Sequence, residues 1–380
     1  MTGSHHPDRL DSRGWAFVLA LLWLAGLFVL WRIPRCRPDP DAAGPHPSLS
    51  VLIPARNEAH NLPMLLGSLA QQGLRPRELI VVDDQSSDLT AEVARRAGAR
   101  VITAGAPPPG WLGKPWACWQ GAQAAAGEVL VFLDADVRLL PEGLARLAAE
   151  VRRRGGLVSV WPYHRMRRAY ERLSAFFLLI VLAGMRAFTI LGSRLPSLGA
   201  FGPCLAVSRA DYFAAGGHAE VRHAILDDVA LGRRFQAAGL PVACLRGEGT
   251  VEFRMYPLGL GSLVEGFGKN LASGFRAAGL AALLPAAGWI AGFFIAFGLT
   301  LIALALPGRP HLTVGLACYA LYAASLAWQL RRLGNYGPLP AVLFPLPLFF
   351  FAGVFLYSLT RTFLFKAVRW KGRTIPLGGA

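Results

Sequence analysis

The sequence predicts an α/β domain, a mostly parallel, Rossmann-like sheet with helices on both faces, accompanied by transmembrane helices. Three observations predict it. From Leu49 onward, short β-branched runs alternate with helix-like segments, the order that builds parallel βαβ units. Several of those runs stop abruptly at carboxylates, and the carboxyl edge of an open α/β sheet is where ligands bind. Hydrophobic residues make up 54% of the 380 and the mean hydropathy is +0.40, too apolar for a wholly soluble chain.

The apolar segments come at both ends. Residues 1–38 read as an N-terminal anchor whose span covers about 15–31, near the ~17–25 residues a bilayer requires. No small-residue cleavage site comes after it, so the segment reads as uncleaved. Arg32, Arg35 and Arg37 outweigh Arg9 and Arg13 on the other flank, which places the downstream domain in the cytoplasm of a multi-pass cell-membrane protein. Residues 39–48 form a Pro/Asp/Gly linker. A catalytic domain is expected over 49–256, with an interfacial helix at about 172–194 whose apolar core is too short to span and fits an interfacial or a buried position. An interfacial segment occupies 257–280. Three apolar stretches, 281–306, 312–330 and 339–360, are each long enough to cross, and 361–380 is a basic tail. Four spans would leave that tail outside, against the positive-inside rule; Pro345 and Pro347 mark where the last stretch could break and return.

Net charge is +16. The arginines flank apolar stretches, which favours a membrane surface. No recognition helix, zinc pattern or basic–aromatic platform points to nucleic acid. The five cysteines are scattered and odd in number, the pattern of free thiols in a reducing compartment.

Within the domain, Leu49–Ile53 reads as the first strand, ended by Pro54, and Glu58–Gln72 as a helix. Glu78–Val82 is the second strand, succeeded by a helix over Leu89–Ala97 capped from Ser86-Ser87-Asp88. Arg100–Thr103 is the third strand. A Pro/Gly loop over Ala104–Gly113 precedes a helix from about Pro115 to Ala126. Val129–Leu133 is a short, fully apolar strand that ends at Asp134 and Asp136. Pro141–Arg154 is helical and Leu157–Val160 a strand; Ala200–Ser208 and Val242–Arg254 read as further strands. Leu226-Asp227-Asp228 opens a helix that ends at Gly239. No G-x-G-x-x-G comes after the first strand, which disfavours a dinucleotide site.

On an extended chain Asp134 and Asp136 point the same way, with Ala135 opposite. Two such carboxylates suit a hard divalent cation that bridges to phosphates; an Asp-rich turn is the bland alternative. Four polar groups thus fall at sheet edges or helix starts: Arg56-Asn57-Glu58, Asp83-Asp84, Asp134 with Asp136, and Asp227-Asp228.

Together these groups resemble the family-2 glycosyltransferases of the GT-A fold. The matching stretches are Val51 to Glu58, Val81 to Asp88, Gly113-Lys114, Asp134-Ala-Asp136 and Asp227-Asp228, between Leu49 and Arg254. The resemblance implies that Pro54, Ala55, Glu58 and Asp84 hold the nucleotide, and that Asp134 and Asp136 hold Mg2+ or Mn2+ with the sugar diphosphate. It makes Asp228 the catalytic base. Asp227 stands where the family usually has Glu. Lys114 and Arg254 could add positive charge at the leaving diphosphate. Gly110 to Trp116, Ala200 to Cys204, Phe253 to Tyr256 and Gly266 to Asn270 look like bacterial carotenoid glycosyltransferases of the 4,4'-diaponeurosporenoate type. That implies an inverting enzyme with a UDP-sugar donor, glucose being the expected hexose, and a lipid acceptor, a carotenoid acid. Hopanoid, polyprenyl phosphate, diacylglycerol and ceramide-like acceptors remain open. The absence of Q-x-x-R-W argues against a processive polysaccharide synthase.

Several residues carry plainer readings. Asp83 and Asp88 suit caps, and Trp111 and Trp116 suit packing. His218 and His223 lack metal spacing. Lys269-Asn270 suit a phosphate contact or a helix cap. Trp370-Lys371-Gly372-Arg373 resembles a tail motif of related transferases. A transporter or flippase with a nucleotide-binding domain is the rival class. It needs polar residues along its spans, and the C-terminal stretches offer little beyond Gln329.

Overall fold

The computed structural model describes residues 12–39, 44–268, 280–305, 310–363, 367–370 and 373–376. Lys269, Asn270, Lys371 and Gly372 lie outside the described residues.

A seven-stranded sheet forms the centre, in the order β3-β2-β1-β4-β8-β6-β9. Its first four members, β1 (Leu49–Ala55), β2 (Glu78–Asp83), β3 (Arg100–Thr103) and β4 (Val129–Leu133), all run parallel. They therefore deliver their carboxyl ends to one edge. β8 (Cys204–Ser208) runs antiparallel to β4, with Cys204 opposite Leu133. The chain entering β8 thus reaches the edge that β4 leaves. β6 (Leu157–Trp161) and β9 (Val242–Arg246) complete the sheet. A small second sheet joins β5 (Val137–Leu139), β10 (Val251–Phe253) and β7 (Tyr163–His164).

Helices cover both faces, as the continuous apolar strands require. On one face α2 (Leu62–Ala70) and α5 (Gly143–Arg154) bury Leu62, Leu65, Leu144 and Leu147 with Val51, Ile53 and Val131. On the other, α4 (Gly113–Ala124) and α8 (Asp227–Ala237) bury Ala117, Cys118, Leu231 and Phe235 with Leu52, Leu130 and Phe132. Helix α3 (Thr90–Arg96) links β2 to β3, and α7 (Arg209–Ala214) comes directly after β8. The edge strand β9 is not bare: Arg246 N–H donates to Pro34 O at 2.7 Å, so the N-terminal linker runs along it.

A third core lies among the apolar helices. These are α1 (Ser12–Val29), α6 (Ala175–Gly184), α9 (260–268 as far as described), α10 (Leu280–Ala305), α11 (Pro310–Leu333), α12 (Leu339–Val342) and α13 (Pro345–Phe363). Among the described residues two segments are long and apolar enough to cross a membrane, Leu283–Ala305 and Leu312–Leu333; the apolar helices Phe17–Val29 and Pro345–Arg361 are shorter. The last stretch breaks after Val342 and restarts at Pro345, where a proline's missing N–H costs a helix least. An antiparallel hairpin, β11 (Ala367–Trp370) with β12 (Arg373–Pro376), lies beyond it in the chain. All five cysteines are free thiols.

Four expectations need correction. The helix anticipated from Glu58 begins at Leu62, because Asn57 has φ 55° and Glu58 O accepts the Asn61 and Leu62 N–H groups in a turn. The strand anticipated over Val242–Arg254 is two strands, split where Gly247 O accepts from Thr250 N at 2.8 Å. Asp134 and Asp136 do not extend the strand: Val137 N donates to Asp134 O at 3.3 Å, so the pair occupies a turn between β4 and β5. The helix expected over 172–194 is a 3-10 turn (Ala169–Ser174), the ten-residue α6 and a second 3-10 turn (Gly192–Arg194). α6 is buried rather than interfacial, because Phe176 packs on Phe293 of α10 and Phe177 on Phe351 of α13.

One buried hydroxyl fixes the approach to β8. Ser159 Oγ accepts from Phe201 N at 2.6 Å and donates to Phe201 O at 3.0 Å. Ser159→Ala leaves two buried backbone groups unpaired, at a cost of about 1–3 kcal/mol each. The expected outcome is a lower midpoint in thermal unfolding of the detergent-solubilised chain; an unchanged midpoint would show that the segment is held elsewhere.

Candidate active site

The sheet edge gathers carboxylates from four elements. Asp84 lies just past β2, and its N–H donates to Ala55 O at 2.8 Å, which ties the ends of β1 and β2 together. Its carboxylate is 6% exposed, meets Arg56 at 3.5 Å and leaves Oδ1 without a hydrogen-bond partner. A buried acceptor oriented this way is available to a ligand hydroxyl or N–H. Gly113 lies so close that any side chain there would collide with Asp84 Oδ2. Asp83 is also buried, at the end of β2, and its Oδ1 too has no partner.

The loops after β1 and β2 are laced together. Asn57 Oδ1 accepts from Ser87 N at 2.8 Å, Glu58 N donates to Thr90 Oγ1 at 2.8 Å, and Ala59 N donates to Asp88 Oδ2 at 3.1 Å. Asp88 also accepts from Thr90 N, so it caps its own turn as well as bridging the loops. Glu58 Oε2 accepts from Asn61 Nδ2 at 2.7 Å.

Lys114, in the first turn of α4, reaches across to Asp134 with Nζ–Oδ1 at 2.8 Å. Desolvation alone would lower the ammonium's pKa. The carboxylates of Asp134, Asp227 and Asp228 outweigh it and raise that pKa well above the usual lysine value. One cation therefore serves three carboxylates. A pocket lined by Pro54, Lys114, Asp134, Gly202, Asp227 and Asp228 brings five of the predicted residues together, while Ala55, Glu58, Asp84, Asp136 and Arg254 do not line it.

The acidic pair sits in the first turn of α8, where the helix dipole favours negative charge. Asp228 is nevertheless pushed up to about 7 by burial, then by Asp227 as charge and hydrogen-bond partner, with Lys114 opposing. Asp136 is likewise raised to about 7, by burial first, then by Asp134 and Glu58. Asp134 and Asp136 fit a divalent cation: Mg2+ and Mn2+ take one or two protein carboxylates and fill their remaining positions with water and phosphate oxygens. Among the described residues no cluster of three or more His, Cys, Asp or Glu side chains offers a cage made of protein alone.

Three glycines place α8. Gly232 abuts Gly199 and Ala200, where a Cβ would lie 2.5 Å from backbone atoms. A Cβ on Gly202 would collide with the Asp228 carboxylate. The segment carrying Gly199 and Gly202 is itself pinned by Ser159 and by Asp134 N–H donating to Pro203 O at 3.0 Å. Sequence reasoning singled out Ala200 to Cys204 without assigning these contacts; the spaced glycines were the available signal. It also missed Glu171. Arg254, expected at the diphosphate, instead pairs with the buried Glu171 through Nε at 2.9 Å. Glu171 also accepts from the Arg167 and Arg168 N–H groups. His218 borders the pocket, but burial drives its pKa down to about 3 and its Nδ1 bonds to Tyr212 Oη at 2.9 Å, a packing role. His223 is exposed. Trp111 and Trp116 pack edge-on with centroids 5.0 Å apart.

A mostly parallel sheet, with paired carboxylates after its fourth strand and an acidic pair opening a helix opposite them, defines a glycosyltransferase of the GT-A class. The family model for glycosyl transferase family 2 matches residues 50–214. The chain is 36% identical over 335 residues to a 4,4'-diaponeurosporenoate glycosyltransferase of Staphylococcus haemolyticus, covering 87% of this chain and 89% of the relative. It is 36% identical over 334 residues to one of Staphylococcus aureus, covering 86% and 88%. The chain belongs to glycosyl transferase family 2. Among solved structures it is similar to a mannosyltransferase from Pyrobaculum calidifontis, determined with GDP-Man and Mn2+. That similarity has a TM-score of 0.53 and 19% identity, and it spans 93% of this chain and 99% of the other.

Gly202→Ala drives a methyl into Asp228. A misplacement near 1 Å at a reacting group costs on the order of a hundredfold in rate. The expected outcome is a loss of that size in kcat with little change in the far-ultraviolet circular dichroism; wild-type turnover would show that Asp228 can move aside without consequence.

Proposed function

We propose that the chain is a membrane-bound, inverting glycosyltransferase that moves a hexose, glucose first, from a UDP-sugar to a lipid acceptor, a carotenoid acid. The observation that carries the reading is the convergence of Lys114, Asp134, Asp227 and Asp228 on one pocket at the carboxyl edge of the sheet. The near full-length likeness to carotenoid-acid glycosyltransferases supports the acceptor. Membrane spans at α10 and α11, with Arg32, Arg35 and Arg37 after α1, support a multi-pass protein with its catalytic domain in the cytoplasm.

In this reading Pro54, Ala55, Glu58 and Asp84 receive the nucleotide at the ends of β1 and β2. Asp134 and Asp136 would hold Mg2+ or Mn2+, which would supply positive charge to offset that of the departing diphosphate. Lys114, paired with Asp134 at 2.8 Å, stands beside the departing diphosphate and adds positive charge there. Asp227, partnered to Asp228, keeps that carboxylate facing the pocket. Arg254 holds the post-β10 segment through Glu171, a role beside the donor rather than on it. Attack from the face opposite the leaving group inverts one centre. With a hydroxyl acceptor Asp228 takes the proton. With a carboxylate acceptor no proton remains to be taken, and Asp228 orients the nucleophile.

The test is turnover in reconstituted membranes with UDP-glucose and a diaponeurosporenoate-type acid, read by mass spectrometry of the lipid product. Asp228→Asn is expected to lower kcat by about 10²–10⁴ with a hydroxyl acceptor, and full activity in that variant would overturn the assignment. A second expectation concerns pH. A base must be deprotonated to work and Asp228 titrates at about 7. For a hydroxyl acceptor, kcat/KM should therefore rise with pH through about 7 and fall roughly tenfold per unit below it. A flat profile from pH 5 to 8 would exclude Asp228 as the base.

A further inference from the structure

A second concave site lies along the outer face of α8. It has a volume of about 410 Å3 and is lined by Leu226, Val229 and Ala230, with Glu220, Arg233 and Arg234 at its rim. The lining keeps to the helix repeat. Leu226, Val229 and Ala230, then Arg233 and Arg234 share one face, while Leu231 and Phe235 face the core. The groove begins beside the acidic pair, and Arg233 lies about 7–8 Å further along the helix than Asp228.

Both arginines are held rather than loose. Arg233 Nε donates to Leu198 O at 2.8 Å, and Arg234 Nε donates to Ala215 O at 3.2 Å. Glu220 meets Arg234 at 3.5 Å with both side chains nearly half exposed, an ion pair too solvated to satisfy the guanidinium. The charge that suits this rim is an anion, and the floor suits hydrocarbon.

Through Arg233 and Gln236, α8 is tied to Leu198 O and Ser197 O. Those two residues end a segment that is stitched to the last turn of α1 and the residues after it. Ile190 N donates to Phe28 O at 2.9 Å and Arg32 N to Phe188 O at 3.0 Å. That segment exposes Ile190 and Leu191, with Arg194 beside them. Nearby, Arg332 lies over the Trp328 ring at 3.7 Å and Trp31 packs on the same tryptophan. Arginine, tryptophan and exposed aliphatic side chains are what a membrane–water interface selects.

We propose that the groove along α8 binds the headgroup of an anionic phospholipid. The phosphate lies at Arg233 and Arg234 and the first methylenes lie on Leu226, Val229 and Ala230, which brings the bilayer surface alongside the helix that carries Asp228. This rests on the membrane-bound reading above. The occupant is a lipid of the bilayer in which the chain sits, distinct from the acceptor.

The test uses the full chain in nanodiscs of phosphatidylcholine, with or without phosphatidylglycerol. Bound lipid is read by native mass spectrometry, which needs no turnover, and glycosyl transfer is read separately. Wild type should retain phosphatidylglycerol. Arg233→Gln with Arg234→Gln should lose about fivefold in retention for each arginine. Since Arg233 also bonds to Leu198, Ala230→Glu provides a second variant that keeps both arginines and places a repelling charge in the groove; it should lose retention too. Undiminished phosphatidylglycerol retention in both variants would overturn the proposal. So would competition by free glycerol phosphate equal to that by the lipid, because the site would then be one for soluble phosphate. A chain that retains the lipid yet turns over no UDP-sugar would instead count against the function proposed above.

Discussion

Everything at this site depends on holding Asp84, Asp134, Asp136, Asp227, Asp228 and Glu58 at one sheet edge, with Lys114 among them. Like charges at such separations repel, and burial removes the water that would screen them. The cost is visible at Asp136 and Asp228, both raised to about 7. The rest of the fold supplies the restraint. Parallel strands fix Asp84 and Asp134 at one edge, laced loops fix Glu58, and glycine contacts hold α8 against the segment entering β8. The repulsion is a preparation for ligands. In the proposed function a divalent cation at Asp134 and Asp136 would offset part of that repulsion. The same stress has a sign in stability. Asp228's folded pKa lies above its ordinary 3.8, so its contribution is most favourable below that value and declines as pH rises toward 7.

Much of this was legible in the sequence. Arg100–Thr103 and Val129–Leu133 are strands as read, because short, β-branched, bounded runs leave little choice. The carboxylates at the ends of β2 and β4 fall at one edge because parallel strands cannot deliver them elsewhere. Local reading failed where non-local hydrogen bonds decide. The start of α2 is set by Asn57 clasping Ser86 and Ser87 thirty residues on, which no periodicity encodes. The pairing of Arg254 with Glu171 spans 83 residues, a contact that no local pattern encodes. The role of Gly199, Gly202 and Gly232 is likewise a matter of two segments meeting, although their spacing hinted that something passes close.

The apolar parts of the chain were easier to find than to arrange. Hydropathy identified the stretches, but only packing distinguishes a helix that faces lipid from one enclosed by its neighbours. α6 and α10 are alike in composition. α6 is covered on all sides, whereas α10 leaves Leu301, Ile302 and Leu304 outward. Length separates them too: ten residues make about 15 Å of helix, half a hydrocarbon core.

The enclosure of α6 bears on how the chain is made. Phe176 and Phe177 emerge from the ribosome long before their partners Phe293 and Phe351. At about 5–20 residues per second the delay is on the order of ten seconds or more. During that interval the nearly complete sheet carries an uncovered hydrophobic helix in its middle. The burial of α6 is complete only when α13, the last helix, packs on Phe177.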